Sequence, residues 1–219
     1  VREGRYQVSE MAIATLLMAK AAGKDLVLLP AVLVARFQEA ALLCRADSAI
    51  AGPAALAGSR IGVRAYSQTT GMWLRGILQD RFALRPDALR WTTFEDAHLA
   101  EYRDPAWATR APQGDDILAM LRQGELDAAI LGAELPDDPT LRPVFPDPTA
   151  AAAEFRATNG FMPVNHLLVA RGDVARAHPE QLGEFLRLLG QAGADLPGRA
   201  GLDPAIALAL LYAEAQGLL

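Results

Sequence analysis

Lysine is nearly absent from this 219-residue chain: Lys20 and Lys24 are the only ones, arginine supplies the remaining positive charge, and the formal net charge is −5. Neutralising a phosphate backbone takes a basic stripe interleaved with aromatics, and no such stripe exists, so nucleic acid is excluded as a partner. Cysteine is scarcer still. Cys44 stands alone in Ala40-Ala41-Leu42-Leu43-Cys44, which rules out an internal disulfide and a CxxC-type metal site and reads as a buried structural thiol. His98, His166 and His178 match no zinc spacing, and neither a metal nor a cofactor is expected. Long apolar runs are missing as well. The most apolar stretch, residues 26–34, falls far short of the roughly 20 residues a spanning helix requires, so no membrane insertion is expected. Val1-Arg2-Glu3-Gly4-Arg5 also lacks the charged start, apolar core and cleavage site of a signal peptide.

What is present fits a folded α/β protein. Hydrophobic residues make up 52% and charged residues 21%, too apolar for a solvated tail, and the length permits one large domain or two small lobes. Residues 6–8 read as a strand entering a helix capped by Ser9, with Glu10 at its first position and Gly23 as its stop. Short apolar runs at 26–29 and 40–44 read as strands covered on both faces. The small-residue stretch 51–58 marks the edge of a lobe, after which a new strand-helix series starts at Ile61. Asp115-Asp116 opens a helix that Gly124 ends, and a strand follows at 128–131. The proline-rich residues 134–148 form an irregular connection, followed by a helix from about Pro148 to Asn159-Gly160 and a strand at 164–170. Pro179 and Asp203-Pro204 each open a further helix. The division predicted is residues 1–57 plus 168–219 for one lobe and 58–167 for the other, with the ligand cleft between them.

The run from Ile61 to Asp80 carries most of the functional information. A short strand empties into Ser67-Gln68-Thr69-Thr70-Gly71 and then into a helix whose Leu74, Ile77, Leu78 and Phe82 keep an apolar stripe. Such a helix start either spends its hydroxyls as ordinary N-caps or receives a carboxylate, sulfate or phosphate on free N–H groups. Ser67, Gln68, Thr69 and Thr70 are the candidate ligand-binding residues, with Arg64 or Arg75 supplying charge and Tyr66 either stacking on a ring or packing in the core. Ser9 presents a second helix start. Glu10 is either a dipole-stabilised surface group or, if enclosed, a proton donor. His166 is the leading general acid or base, against the alternative of a satisfied strand residue. His98, beside Asp96 and Glu101, is either a site residue or part of an ion-pair cluster.

The same run, RIGVRAYSQTTGMWLRGILQD, resembles the corresponding segment of the 4,5-dihydroxyphthalate decarboxylase-like family, whose members are built like type 2 periplasmic solute-binding proteins. The likeness continues through Phe94-Glu95-Asp96-Ala97-His98, Gly124-Glu125-Leu126-Asp127, Phe145-Pro146-Asp147-Pro148 and Asn165-His166-Leu167, in the same order, over roughly residues 6 to 190. It implies a two-lobed α/β fold. The fold normally begins with an earlier strand and helix, so the expectation is a chain whose N-terminal strand and helix are absent.

The resemblance implies a cofactor-free decarboxylase of an aromatic dicarboxylate such as 4,5-dihydroxyphthalate, a carboxy-lyase. In that scheme His166 or Glu10 donates a proton to the ring, Glu95 or Asp96 takes the phenolic proton, and the turn at 67–70 holds the second carboxylate. The alternative is a non-catalytic solute-binding protein for a small organic anion, feeding an ABC-type transporter or sensor. An enzyme would be cytoplasmic and a solute-binding protein periplasmic. One departure bears on the ligand: several relatives place an Arg-His pair after a Phe where this chain has Phe37-Gln38-Glu39, and Arg36 is the candidate to compensate.

Overall fold

The computed structural model describes residues 5–132 and 135–219. The opening Val1-Arg2-Glu3-Gly4 and position 134 of the irregular connection lie outside the described residues. In chain order the elements are β1 (Val8–Ala12), α1 (Ile13–Ala21), β2 (Leu26–Ala35), β3 (Leu42–Arg45), β4 (Arg60–Val63), α2 (Thr69–Phe82), β5 (Arg90–Thr93), β6 (Ala108–Arg110), α3 (Ile117–Gln123), β7 (Ala128–Ile130), β8 (Leu141–Pro143), α4 (Pro148–Asn159), β9 (Val164–Arg171), α5 (Gly172–Ala177), α6 (Pro179–Gln191) and α7 (Gly198–Ala215). No described helix is long and apolar enough to cross a membrane.

Two sheets organise them. A three-stranded antiparallel sheet has the order β1-β9-β2, and a six-stranded mixed sheet has the order β6-β5-β4-β7-β3-β8. In the larger sheet β6, β5, β4 and β7 run parallel, while β3 pairs antiparallel with β7 and β8. Sheet membership departs from the lobe limits read from the sequence. Residues 42–45 pair in the six-stranded sheet, whereas 164–167 pair with β1 and β2 in the three-stranded one.

Several elements follow from local chemistry. The Asp116 carboxylate accepts from the Ala119 N–H to open α3, and Gly124 ends it at φ +76°. Asp147 does the same for Ala150 ahead of Pro148, and Gly160 closes α4 at φ +78°. Tertiary pairing overrides local signals elsewhere. The strand expected at 26–29 runs through Pro30 to Ala35, with register shifts from Leu29 onward; β2 is an edge strand, where a missing N–H costs least. Pro204 lies inside α7 rather than opening it.

The main correction concerns β1. Ser9 and Glu10 are strand residues, because Val8 to Ala12 pair one for one with Ala170 to His166, and α1 starts only at Ile13. The ladder bonds win over the capping signal. Ser9 bonds the Glu10 carbonyl at 3.1 Å, and Ala12 precedes the helix with no side-chain cap.

A continuous core joins the two sheets through Met11, Ile13, Val63, Trp73, Phe155 and Tyr212. The Trp73 indole is fully buried and donates to the Val164 carbonyl at 2.9 Å, so its polar atom is satisfied where β9 begins.

Candidate functional site

At one end of the three-stranded sheet the last residues of β1 and β2 lie beside the first of β9. Ala12 faces His166, so Glu10 stands diagonal to His166 on the same face, and their side chains form an ion-pair-type hydrogen bond from imidazole Nδ1 to the carboxylate. The two catalytic candidates furthest apart in the chain thus meet. Both are half-exposed, at 41% for the imidazole and 52% for the carboxylate, so Glu10 is not the enclosed acid one of its readings required.

Arg36 follows β2 at this same end. Its Nη2 donates to the Thr70 hydroxyl at 2.8 Å, its backbone N–H donates to Pro163, and no carboxylate pairs with it among the described residues. Partial burial pulls its guanidinium down from the usual arginine range. Directly beyond Arg36 the chain crosses to the larger sheet. There Gln38 is buried, and its Nε2 donates to the Asn165 side chain at 2.7 Å and to the Arg36 carbonyl at 2.6 Å. Sequence reasoning missed this Gln38–Asn165 bond, although both residues stood in segments it had singled out. Glu39 is also buried; its Oε2 accepts from the Gln38 N–H, and burial raises its pKa above the ordinary carboxylate range.

The turn before α2 is enclosed: Ser67, Gln68, Thr69 and Thr70 are all buried. None of their side chains caps α2. The Ser67 hydroxyl accepts from the His98 N–H at 3.1 Å, and Thr69 accepts from the Ala14 N–H at 3.3 Å, capping α1 from outside it. The starts of α1, at Ile13 rather than after Val8, and of α2 are thus joined by the Thr69 side chain. Among the described residues the backbone N–H groups of Thr69, Thr70 and Gly71 have no acceptor, although these residues are buried. Buried backbone donors are nearly always paired, so this cluster is an exception that calls for a partner.

Two cavities lie in this part of the molecule, one of them at the turn. One of about 250 Å³ opens at the carboxyl ends of β4 and β7 and is lined by Arg64, Gln68, Glu95, Asp116 and Ile130. Arg64 and Glu95 form a 3.3 Å ion pair there, and the buried Gln68 Oε1 has no partner. The larger cavity, about 810 Å³, runs along α1 past Glu10, Thr15 and His98 towards Leu26, and reaches neither Arg36 nor the turn at 67–70. His98 Nδ1 lies 3.0 Å from the Thr15 hydroxyl, which ties it to α1.

Two ligand-binding candidates face the core instead. Arg75 is only 1% exposed, with Nε on Gln216 at 2.8 Å and Nη2 on the Tyr66 carbonyl at 2.6 Å. Tyr66 is fully buried, with the Arg75 guanidinium 3.9 Å above its ring and Trp91 edge-on to it. Arg75 lies about one and a half turns into α2, which packs on α7, and Tyr66, ahead of the helix, donates to the Gln216 carbonyl at the end of α7.

Comparison with known proteins agrees with this architecture. No protein-family profile matches the chain. A 4,5-dihydroxyphthalate decarboxylase from Comamonas testosteroni is 28% identical over 199 residues, covering 85% of this chain and 60% of the relative. A second protein of that name, from Pseudomonas putida, is 28% identical over 167 residues, 70% of this chain and 64% of the relative. The chain thus spans less than two thirds of the length of these curated relatives. Among solved structures, the periplasmic aliphatic sulphonate binding protein SsuA from Escherichia coli matches with a TM-score of 0.55 at 20% identity, over 100% of this chain and 64% of that one. The protein is accordingly a relative of proteins named 4,5-dihydroxyphthalate decarboxylase, built on the α/β fold of the periplasmic binding proteins.

Proposed function

We propose that the start of α2, together with Arg36, holds the carboxylate of a small organic acid, and that the protein is a cofactor-free decarboxylase of an aromatic dicarboxylate resembling 4,5-dihydroxyphthalate. The observation that carries the anion site is the set of unpaired N–H groups on Thr69, Thr70 and Gly71 beside an arginine that has a hydroxyl but no carboxylate as partner. Free amides at a helix start and a guanidinium fork are the two devices best suited to a carboxylate. The cleft in this reading lies between two lobes joined by the crossings after Ala35 and before Val164, which Gln38 and Asn165 tie together.

The chemistry then runs as follows. A phenolic hydroxyl para to the departing carboxylate gives up its proton, and the ring carbon bearing that carboxylate accepts one. The C–C bond breaks, CO2 leaves, and its electron pair restores the aromatic ring. With Nδ1 of His166 held on Glu10, Nε2 is the nitrogen left to deliver the ring proton. Glu95, paired with Arg64 beside the smaller cavity, takes the phenolic proton and returns it to the phenolate oxygen once CO2 has left. Incubation with 4,5-dihydroxyphthalate should release CO2 and protocatechuate in equal amounts, and His166→Ala should abolish release; absence of CO2 from the unaltered protein overturns the decarboxylase reading.

One observation favours a second reading, a solute-binding protein that delivers an organic anion without changing it. The His166–Glu10 pair is half-exposed, whereas a proton donor gains from exclusion of water. That reading predicts a rise in melting temperature with phthalate or an alkanesulfonate and no turnover.

A further inference from the structure

One of the arginines that the sequence offered to the ligand has an unusual setting. Arg75 is fully enclosed with no carboxylate in ion-pair contact among the described residues, and burial pulls its pKa down. The nearest carboxylate acting on it is Asp104, which lies beyond hydrogen-bond reach, so what fixes this desolvated guanidinium is its hydrogen bonding. Its fork is directed: Nη2 donates to the carbonyl of Tyr66, the residue immediately before the turn at 67–70, and Nε donates to the Gln216 side chain. The third nitrogen, Nη1, has no hydrogen-bond partner and lies 3.0 Å from where a Cβ on Gly71 would stand, so the charge is packed against the first turn of α2.

Gln216, the residue that ends α7, grips the same segment three times. Its Oε1 accepts from Arg75, its Nε2 donates to the Met72 carbonyl at 2.9 Å, and its backbone carbonyl accepts from the Tyr66 hydroxyl at 3.3 Å. It is 1% exposed, and α7 packs on both α1 and α2, the two helices whose starts meet at Thr69. None of these bonds uses the Thr70 hydroxyl, which accepts from Arg36.

We propose that Gln216 is a positioning residue which, through Arg75, fixes the carbonyl of Tyr66 and so aims the free amides of Thr69 to Gly71. The proposal rests on the anion-site reading for its purpose but not for its test. Gln216→Leu keeps the side-chain volume and removes the side-chain bonds; amide hydrogen exchange over residues 67–72 should accelerate about tenfold relative to β9, and Arg75→Met should do the same. Unchanged exchange at 67–72 in either folded variant overturns the proposal. Should neither variant fold, the unaltered protein still decides: an Arg75 Nε–H as labile in NMR as that of an exposed arginine overturns it, and a slowly exchanging one supports it. Phthalate affinity, measured in parallel, should weaken severalfold in Gln216→Leu. A loosened turn in a protein that binds no phthalate, altered or not, supports the relay and removes the anion reading instead.

Discussion

The starts of α1 and α2 lie against each other and are finished in opposite ways. Behind α1 stands Ala12, which has nothing to cap with, and the Ala14 N–H is taken by a hydroxyl from α2. Behind α2 stands Gln68, whose side chain does not cap the helix, and the first three amides have no acceptor among the described residues in a buried turn faced by Arg36. Two helix ends holding one guest jointly would both be left open. Here α2 closes its neighbour and keeps its own donors free, so the proposed recognition of an acid falls on one helix and one arginine.

The largest expected effect breaks that asymmetry directly. Arg36→Ala removes a charge-assisted contact worth about 1.5–3 kcal/mol, so the phthalate dissociation constant measured by calorimetry should rise roughly 10- to 100-fold; an unchanged constant would leave α2 no more special than α1. Next comes Thr69→Val, which deprives α1 of its borrowed cap and should lower stability in urea by about 1 kcal/mol. Adding Ala12→Ser gives α1 a cap of its own and should recover most of that loss.

The crossing that carries Arg36 to the larger sheet offers a pH test. Burial raises the Glu39 carboxyl above its unfolded value, so the native state holds this proton more tightly than the unfolded state does. Its contribution is full below about pH 4, the unfolded range, and is lost as pH rises through the raised native value. Unfolding curves of the unaltered protein should therefore show a loss across that window that Glu39→Gln flattens. The smallest effect belongs to Lys24→Ala: the exposed Lys24–Glu101 pair joins the end of α1 to the stretch after His98, and its loss should leave the melting temperature nearly unchanged.

Much of the fold could be read directly because its signals are short-range. Asp116 and Gly124 bracket α3, and Asp147, Pro148 and Gly160 bracket α4, each by contacts within a turn of the chain. The α2 segment and its apolar stripe were legible for the same reason, and the resemblance carried by residues 60–80 and the segments after them agrees with the relatives found. Ser9-Glu10 misled because a polar residue ahead of an apolar period looks alike in a strand and at a helix start, and only the β9 partner separates the two. Of the arginines, Arg75 was judged by its place near the turn, yet its environment is set by Gln216, 141 residues away.

What the order of residues determined by itself is the α/β alternation, the ends of α3 and α4 and the presence of a hydroxyl-rich turn, all governed by neighbours a few positions apart. The meeting of Glu10 with His166, 156 residues later, and the choice of Arg36 over Arg75 as the arginine facing that turn were decided only by tertiary structure. The physical reason is register: a one-residue slip between β1 and β9 would turn Glu10 to the opposite face, and nothing local to either strand records which alignment the packed sheet enforces.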